Sequence, residues 1–134
     1  MAYWLVKSEP DVYSWDTFVA EKQTYWNGVR NYQARNNMKA MRKGDTVMFY
    51  HSNEERQVVG LCTVVKEAYQ DPTTDDPAWV VVDVKAGKRL KTPVTLATIK
   101  QTKGLEQIAL IKQSRLSVMP LTEDEFNIII ALGS

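Results

Sequence analysis

Apolar positions begin at once. Tyr3-Trp4-Leu5-Val6-Lys7 is a run of aromatic and β-branched residues closed by Ser8-Glu9-Pro10, and it predicts a first strand. The period then changes: Trp15, Phe18 and Val19 recur at helical spacing behind Ser14 or Asp11, either of which can cap a short helix. Residues 23–31 carry no clear period and predict a loop around Gly28. A second helix is predicted over 32–42, with Ala34, Met38 and Met41 on one face, Arg35, Lys39 and Arg42 on another, and Gly44 as its stop.

From Asp45 onward the pattern is that of strands. They are predicted over 46–51, over 58–66 with an interruption at Gly60, and over 79–84, with 71–77 linking the last two. A further strand over 88–95, a small amphipathic helix over 105–112 and a returning strand over 115–118 follow. The last helix starts at Thr122, where Glu125 three residues on completes a capping box, and Phe126, Ile128, Ile129, Ile130 and Leu132 dock it on the core. The sum is an α+β domain spanning 1–134: a twisted, barrel-like sheet with helices inserted after the first strand and added at the C-terminus.

Composition narrows the class. The chain has 134 residues, 44% hydrophobic and 25% charged, as ordinary globular domains do. No apolar run has the length of a membrane span, and the N-terminus lacks the layout of a secretory signal. Cys62 is the single cysteine and His51 the single histidine, so neither a disulfide framework nor a tetrahedral metal centre is expected. A reducing interior fits: cytoplasm, or nucleus in a eukaryote. No cofactor motif is present, and a monomer is expected.

The formal net charge of +1 conceals a segregation. Residues 23–44 hold Arg30, Arg35, Lys39, Arg42 and Lys43 and no acid, and Glu106 is the lone acid between Val84 and Thr122. Such a chain can turn a basic face to phosphates while remaining near neutral overall. Scattered, solvated lysines account equally well for the second of these stretches.

Four segments hold polar groups that core packing does not explain. Lys7-Ser8-Glu9-Pro10 ends the first strand, where ligands are commonly met, although a simple turn is an even alternative. The segment from Trp26 to Asn36 interleaves aromatics, amides and arginines around Gly28; aromatics stack on bases, amides read their edges and arginines pair with phosphates, the alternative being a helix-start loop with a buried tryptophan. Phe49-Tyr50-His51-Ser52 carries the histidine, a residue type more often structural than catalytic when alone. Arg115-Leu116-Ser117-Val118 offers one arginine. A Ser8–His51 dyad would make an enzyme, but there is no nucleophile elbow, phosphate loop or dinucleotide fingerprint, and Cys62 lies in an apolar strand.

These four motifs, taken in order along nearly the whole chain, resemble the EVE domain family. Asp45, Val59-Gly60, Trp79 and Pro93-Val94-Thr95-Leu96 match its pattern as well. The resemblance implies a PUA-like pseudo-barrel related to the YTH domains, which close an aromatic cage on methylated adenine in RNA. Lys7-Ser8 is similar to a pair in those relatives, and Trp26 corresponds to their first cage tryptophan. Phe126 stands where the family pattern leads one to expect tryptophan. The implied function is non-catalytic binding of DNA or RNA through a flipped, modified base, with modified cytosine a favoured class.

Motifs and resemblance together predict one pocket. Its walls are Trp4, Lys7, Ser8, Glu9, Trp26, Gly28, Val29, Asn31, Tyr50, His51, Ser52 and Ser117, with Arg30, Arg35, Lys39 and Arg115 meeting the nucleic acid at its mouth. Extruding a base costs a few kcal/mol, and stacking on one aromatic returns about 1–3 kcal/mol. A buried methyl adds only about 0.8 kcal/mol, so selectivity needs a second element. A sensor of free nucleosides or nucleotides using the same pocket is the alternative reading; a basic track outside the pocket separates the two.

Overall fold

The structure, a computed structural model, describes residues 2–134. Its centre is a six-stranded sheet in the order β2-β5-β4-β3-β1-β6. The strands are β1 (Tyr3–Ser8), β2 (Gln23–Tyr25), β3 (Thr46–His51), β4 (Gln57–Gln70), β5 (Val80–Thr95) and β6 (Val118–Leu121). All pairs are antiparallel except β1 with β3, which run side by side with Ser8 opposite His51. That one parallel pair demands a crossover, and it is supplied by α1 (Trp15–Glu21), β2 and α2 (Tyr32–Ala40). The helices α3 (Leu96–Gln101), α4 (Ala109–Lys112) and α5 (Glu123–Leu132) complete a mixed α+β fold.

Local chemistry explains most boundaries. Ser14 caps α1 by accepting from the Thr17 N–H, Asn31 caps α2 by accepting from the Ala34 N–H, and Thr122 with Glu125 forms the expected capping box. Three expectations need correction. Residues 79–84 and 88–95 are one strand, because β5 stays paired with β4 through several register shifts that bend both strands without ending them. The helix predicted over 105–112 is only α4, with α3 ahead of it, capped by Thr95 accepting from the Thr98 N–H. Finally, the return strand lies over 118–121 and contains Pro120. Its missing N–H is tolerated because β6 is an edge strand, bonded to β1 alone.

The core places the crossover. Trp15 and Phe18 of α1 pack on Phe49 of β3, and Trp26 meets the same ring edge-on at 5.6 Å between centroids. Asp45, only 4% exposed, gathers the Trp4 indole N–H at 3.0 Å and the Ala2 and Arg42 amides. Opposing these hydrogen bonds is burial, which by itself would raise its carboxyl; the bonds win and hold it below the usual range. No helix among the described residues is long and apolar enough to cross a membrane.

Candidate nucleic-acid interface

The parallel pairing of β1 and β3 sets the floor of the site. The Ser52 amide donates to the Ser8 carbonyl at 2.9 Å, so the two polar strand ends lie together as expected. Ser8 turns its hydroxyl to the Tyr13 carbonyl, which fixes the turn between β1 and α1. On the other side β2, unpredicted because three residues cannot show a period, pairs with β5. The Trp26 amide extends that pairing by donating to the Val82 carbonyl at 2.8 Å. Trp26 is thereby delivered beside the end of β1.

Between them lies a first depression of about 410 Å³, bordered by Lys7, Ser8 and Glu9 on one side and by Tyr25, Trp26, Asn27 and Gly28 on the other. Val12, Tyr13 and Thr24 also line it. Gly28 passes through a left-handed conformation at φ 79°, which an L side chain rarely adopts. Trp26 is 9% exposed and packs edge-on against Tyr13 as well as Phe49. Its indole N–H has no hydrogen-bond partner among the described residues. No sealed-off side-chain nitrogen or oxygen is left unpaired among the described residues, so this donor keeps contact with solvent, on a residue that lines the first depression.

Two further depressions adjoin the first. One of about 590 Å³ shares Lys7 and Glu9 with it and adds Tyr50, Ser52, Arg115 and Ser117. Another of about 370 Å³ is lined by Asn31 and shares Arg115 with the second. Lys7 stands between the first two, half-buried, donating to the Ser114 carbonyl at 2.7 Å; burial holds its ammonium below the ordinary lysine value. The single pocket expected from the sequence is thus three adjoining depressions. Ser8 and Trp26, Ser52, and Asn31 fall in different ones, with Lys7 and Glu9 bordering the first two and Ser114 and Arg115 the last two.

The family's sequence profile matches residues 2–132. The chain belongs to the EVE domain family. It is 40% identical to mouse thymocyte nuclear protein 1 over 97% of this chain and 73% of that protein. Among solved structures, a Rhodopseudomonas palustris protein is 50% identical with a TM-score of 0.94, over 99% of this chain and 93% of that one. The human THYN1 protein in complex with 5-methylcytosine-containing DNA is 35% identical with a TM-score of 0.92, over 100% of this chain and 98% of that one.

Several expected site residues of this EVE domain do other work and line none of the three depressions. Trp4 is committed to Asp45 in the core, and Val29 is buried. His51 accepts the Trp15 amide at Nε2 (3.0 Å), so Nδ1 carries the proton and donates to Glu55 at 2.9 Å. That hydrogen bond keeps the Glu55 carboxyl below its usual range. With the Ser8 hydroxyl and both His51 nitrogens engaged elsewhere, no Ser8–His51 dyad exists.

Arg30 and Arg35 are engaged as well, whereas Arg115 lines the second and third depressions. Arg30 pairs with buried Asp71 and lies over Trp79, while Arg35 donates to the Ala78 carbonyl and lies over Tyr32. Lys39 is exposed on the last turn of α2. Sequence reasoning missed Tyr13 and Tyr25, which line the first depression, and Arg56 and Lys100, which line the second. Tyr25 and its neighbour Asn27 sit within the acid-free stretch and could have been found there. Arg56 and Lys100 belong to no motif and reach the site only through the fold.

Proposed function

We propose that this EVE domain reads a modified base in nucleic acid, of the methylated-cytosine kind, and that it binds without catalysing a reaction. The base enters the first depression. The observation that carries this reading is Trp26: an indole held from behind by Phe49 and Tyr13, with a free N–H donor at a depression large enough for a ligand. Such a wall supplies both apolar area and a hydrogen bond to an acceptor on a base edge, and cytosine offers O2 and N3 as acceptors. Lys7 adds unspent donors, since an ammonium has three and the Ser114 carbonyl takes one. The DNA complex of the human relative supports the class of ligand.

Binding rather than turnover is favoured by the commitment of Ser8 and His51 to backbone and carboxylate partners. We place the whole activity in one domain over residues 1–134, acting as a monomer inside the cell. The test is a titration of matched oligonucleotides, with cytosine or 5-methylcytosine, in single- and double-stranded form. Tighter binding of the methylated strand that is lost in Trp26→Ala supports the reading. Equal affinity for both bases overturns it.

A further inference from the structure

The second depression is walled by Lys7, Arg56, Lys100 and Arg115, and Glu9 is the one carboxylate among the residues lining it. None of these four cations enters an ion pair among the described residues. Arg56 is held in place by its backbone. Its φ of 47° lies in the left-handed region, its carbonyl accepts the Leu96 N–H at 2.8 Å, and its Nε donates to the Asn53 carbonyl at 2.8 Å. A non-glycine residue kept in that conformation by surrounding contacts is a recurrent feature of ligand clamps. Both terminal nitrogens of the guanidinium remain without a partner among the described residues.

Tyr50 gives an independent observation. It is 3% exposed, yet its hydroxyl has no hydrogen-bond partner among the described residues. No side-chain oxygen among the described residues is both sealed and unpaired, so the hydroxyl keeps contact with solvent, on a residue that lines this depression. Burial raises this phenol above its ordinary value and the charge of Arg56 opposes the rise, which places the guanidinium within electrostatic reach of the hydroxyl. An arginine anchored through its Nε, two lysines, a second arginine and a largely buried hydroxyl donor are complementary to a group that only accepts and carries negative charge.

We infer that the second depression binds a phosphodiester, that of the nucleotide adjoining the base in the first depression, with Arg56, Lys100 and Tyr50 as its contacts. This rests on the base-reading function proposed above, because Lys7 and Glu9 border both depressions and a ligand crossing that shared rim is one strand. Arg56→Gln and Lys100→Gln test it, with Tyr50→Phe as a variant that preserves the core ring. Binding is measured against salt for a 5-methylcytosine oligonucleotide and its unmodified twin, and at one salt concentration for free 5-methylcytidine.

Each charge variant is expected to lower the salt slope for both oligonucleotides by about one unit. Free 5-methylcytidine, which has no phosphate, should bind each variant as it binds the parent. Unchanged slopes in both charge variants, with parental melting temperatures, overturn the phosphate site. Nucleoside binding without oligonucleotide binding overturns it too. Altered slopes without discrimination of the methylated base sustain the phosphate site and overturn the base-reading function instead.

Discussion

The Arg30 guanidinium meets the Asp71 carboxylate at 3.1 Å, and the Asp71 side chain is wholly buried while that of Arg30 is 41% exposed. An arginine that the sequence marks as a phosphate contact is thus a fastener. Asp71 also accepts from the Gly28 amide and from the amide and hydroxyl of Thr73, so one carboxylate ties the Trp26–Arg30 segment to the loop between β4 and β5. Asp71→Asn should destabilise the fold by about 1–3 kcal/mol, since it disturbs a buried, multiply bonded charge whose partner is partly solvated. Arg30→Gln should cost less and leave the salt slope of binding nearly unchanged. Thermal unfolding and salt titrations check both; a full unit lost from the slope in Arg30→Gln would restore it as a phosphate contact.

Acid should unfold this protein through a few identifiable carboxyls. Burial pushes Asp71 and Asp45 upward, but their hydrogen bonds prevail, and Glu55 is lowered chiefly by its hydrogen bond from His51. A carboxyl depressed in the folded state stabilises above its unfolded value and loses that contribution as pH falls through its folded value. Stability should therefore be flat above about pH 5 and decline below about pH 4. Asp45→Asn should flatten the decline; denaturant midpoints measured from pH 7 to pH 2.5 report it.

Trp26 packs in the core and is the proposed wall for the base, and two substitutions separate these roles. Trp26→Phe keeps a ring against Phe49 and Tyr13 but removes the unpaired N–H. It should weaken base binding by about 1 kcal/mol, the worth of one hydrogen bond, with little loss of stability. Trp26→Ala should weaken binding further and also destabilise the fold, by about 3–5 kcal/mol, because the residue is only 9% exposed. Calorimetric titration beside thermal melts distinguishes the two roles, and undiminished binding in Trp26→Phe removes the N–H from the reading of the base.

Gly60 marks where β4 must pass close to α1. A Cβ there would lie 2.6 Å from Cζ2 and 2.7 Å from Cζ3 of Trp15, a ring that is itself 2% exposed and cannot swing away. Gly60→Ala should cost about 1–3 kcal/mol through overpacking and displace α1, whose Trp15 amide is the partner of His51. A melting temperature equal to the parent's would show that the ring has room to move.

Much of this protein was decided by local chemistry and was therefore legible along the chain. β1 and β3 have apolar runs bounded by polar breaks, Ser14, Asn31 and Thr122 cap their helices from their own side chains, and Lys7-Ser8, Trp26-Asn27-Gly28 and Arg115 fall on the concave surface. Pairing decided the rest. β2 is a strand only because β5 offers it a partner, and α3 begins only where the β5 edge ends. Which polar groups remain free was likewise beyond the sequence, because a side chain's partners come from distant segments. Asp71 claims Arg30 across 41 residues, Ala78 claims Arg35 across 43, the Trp15 amide claims His51 across 36, and Asp45 claims Trp4 across 41. The residue types suited to binding a base and a phosphate were set by sequence. Hydrogen-bond satisfaction in the folded interior determined which of them stay available for the proposed binding: among the described residues, Trp26, Lys7, Arg56 and Tyr50 keep donors without a protein partner.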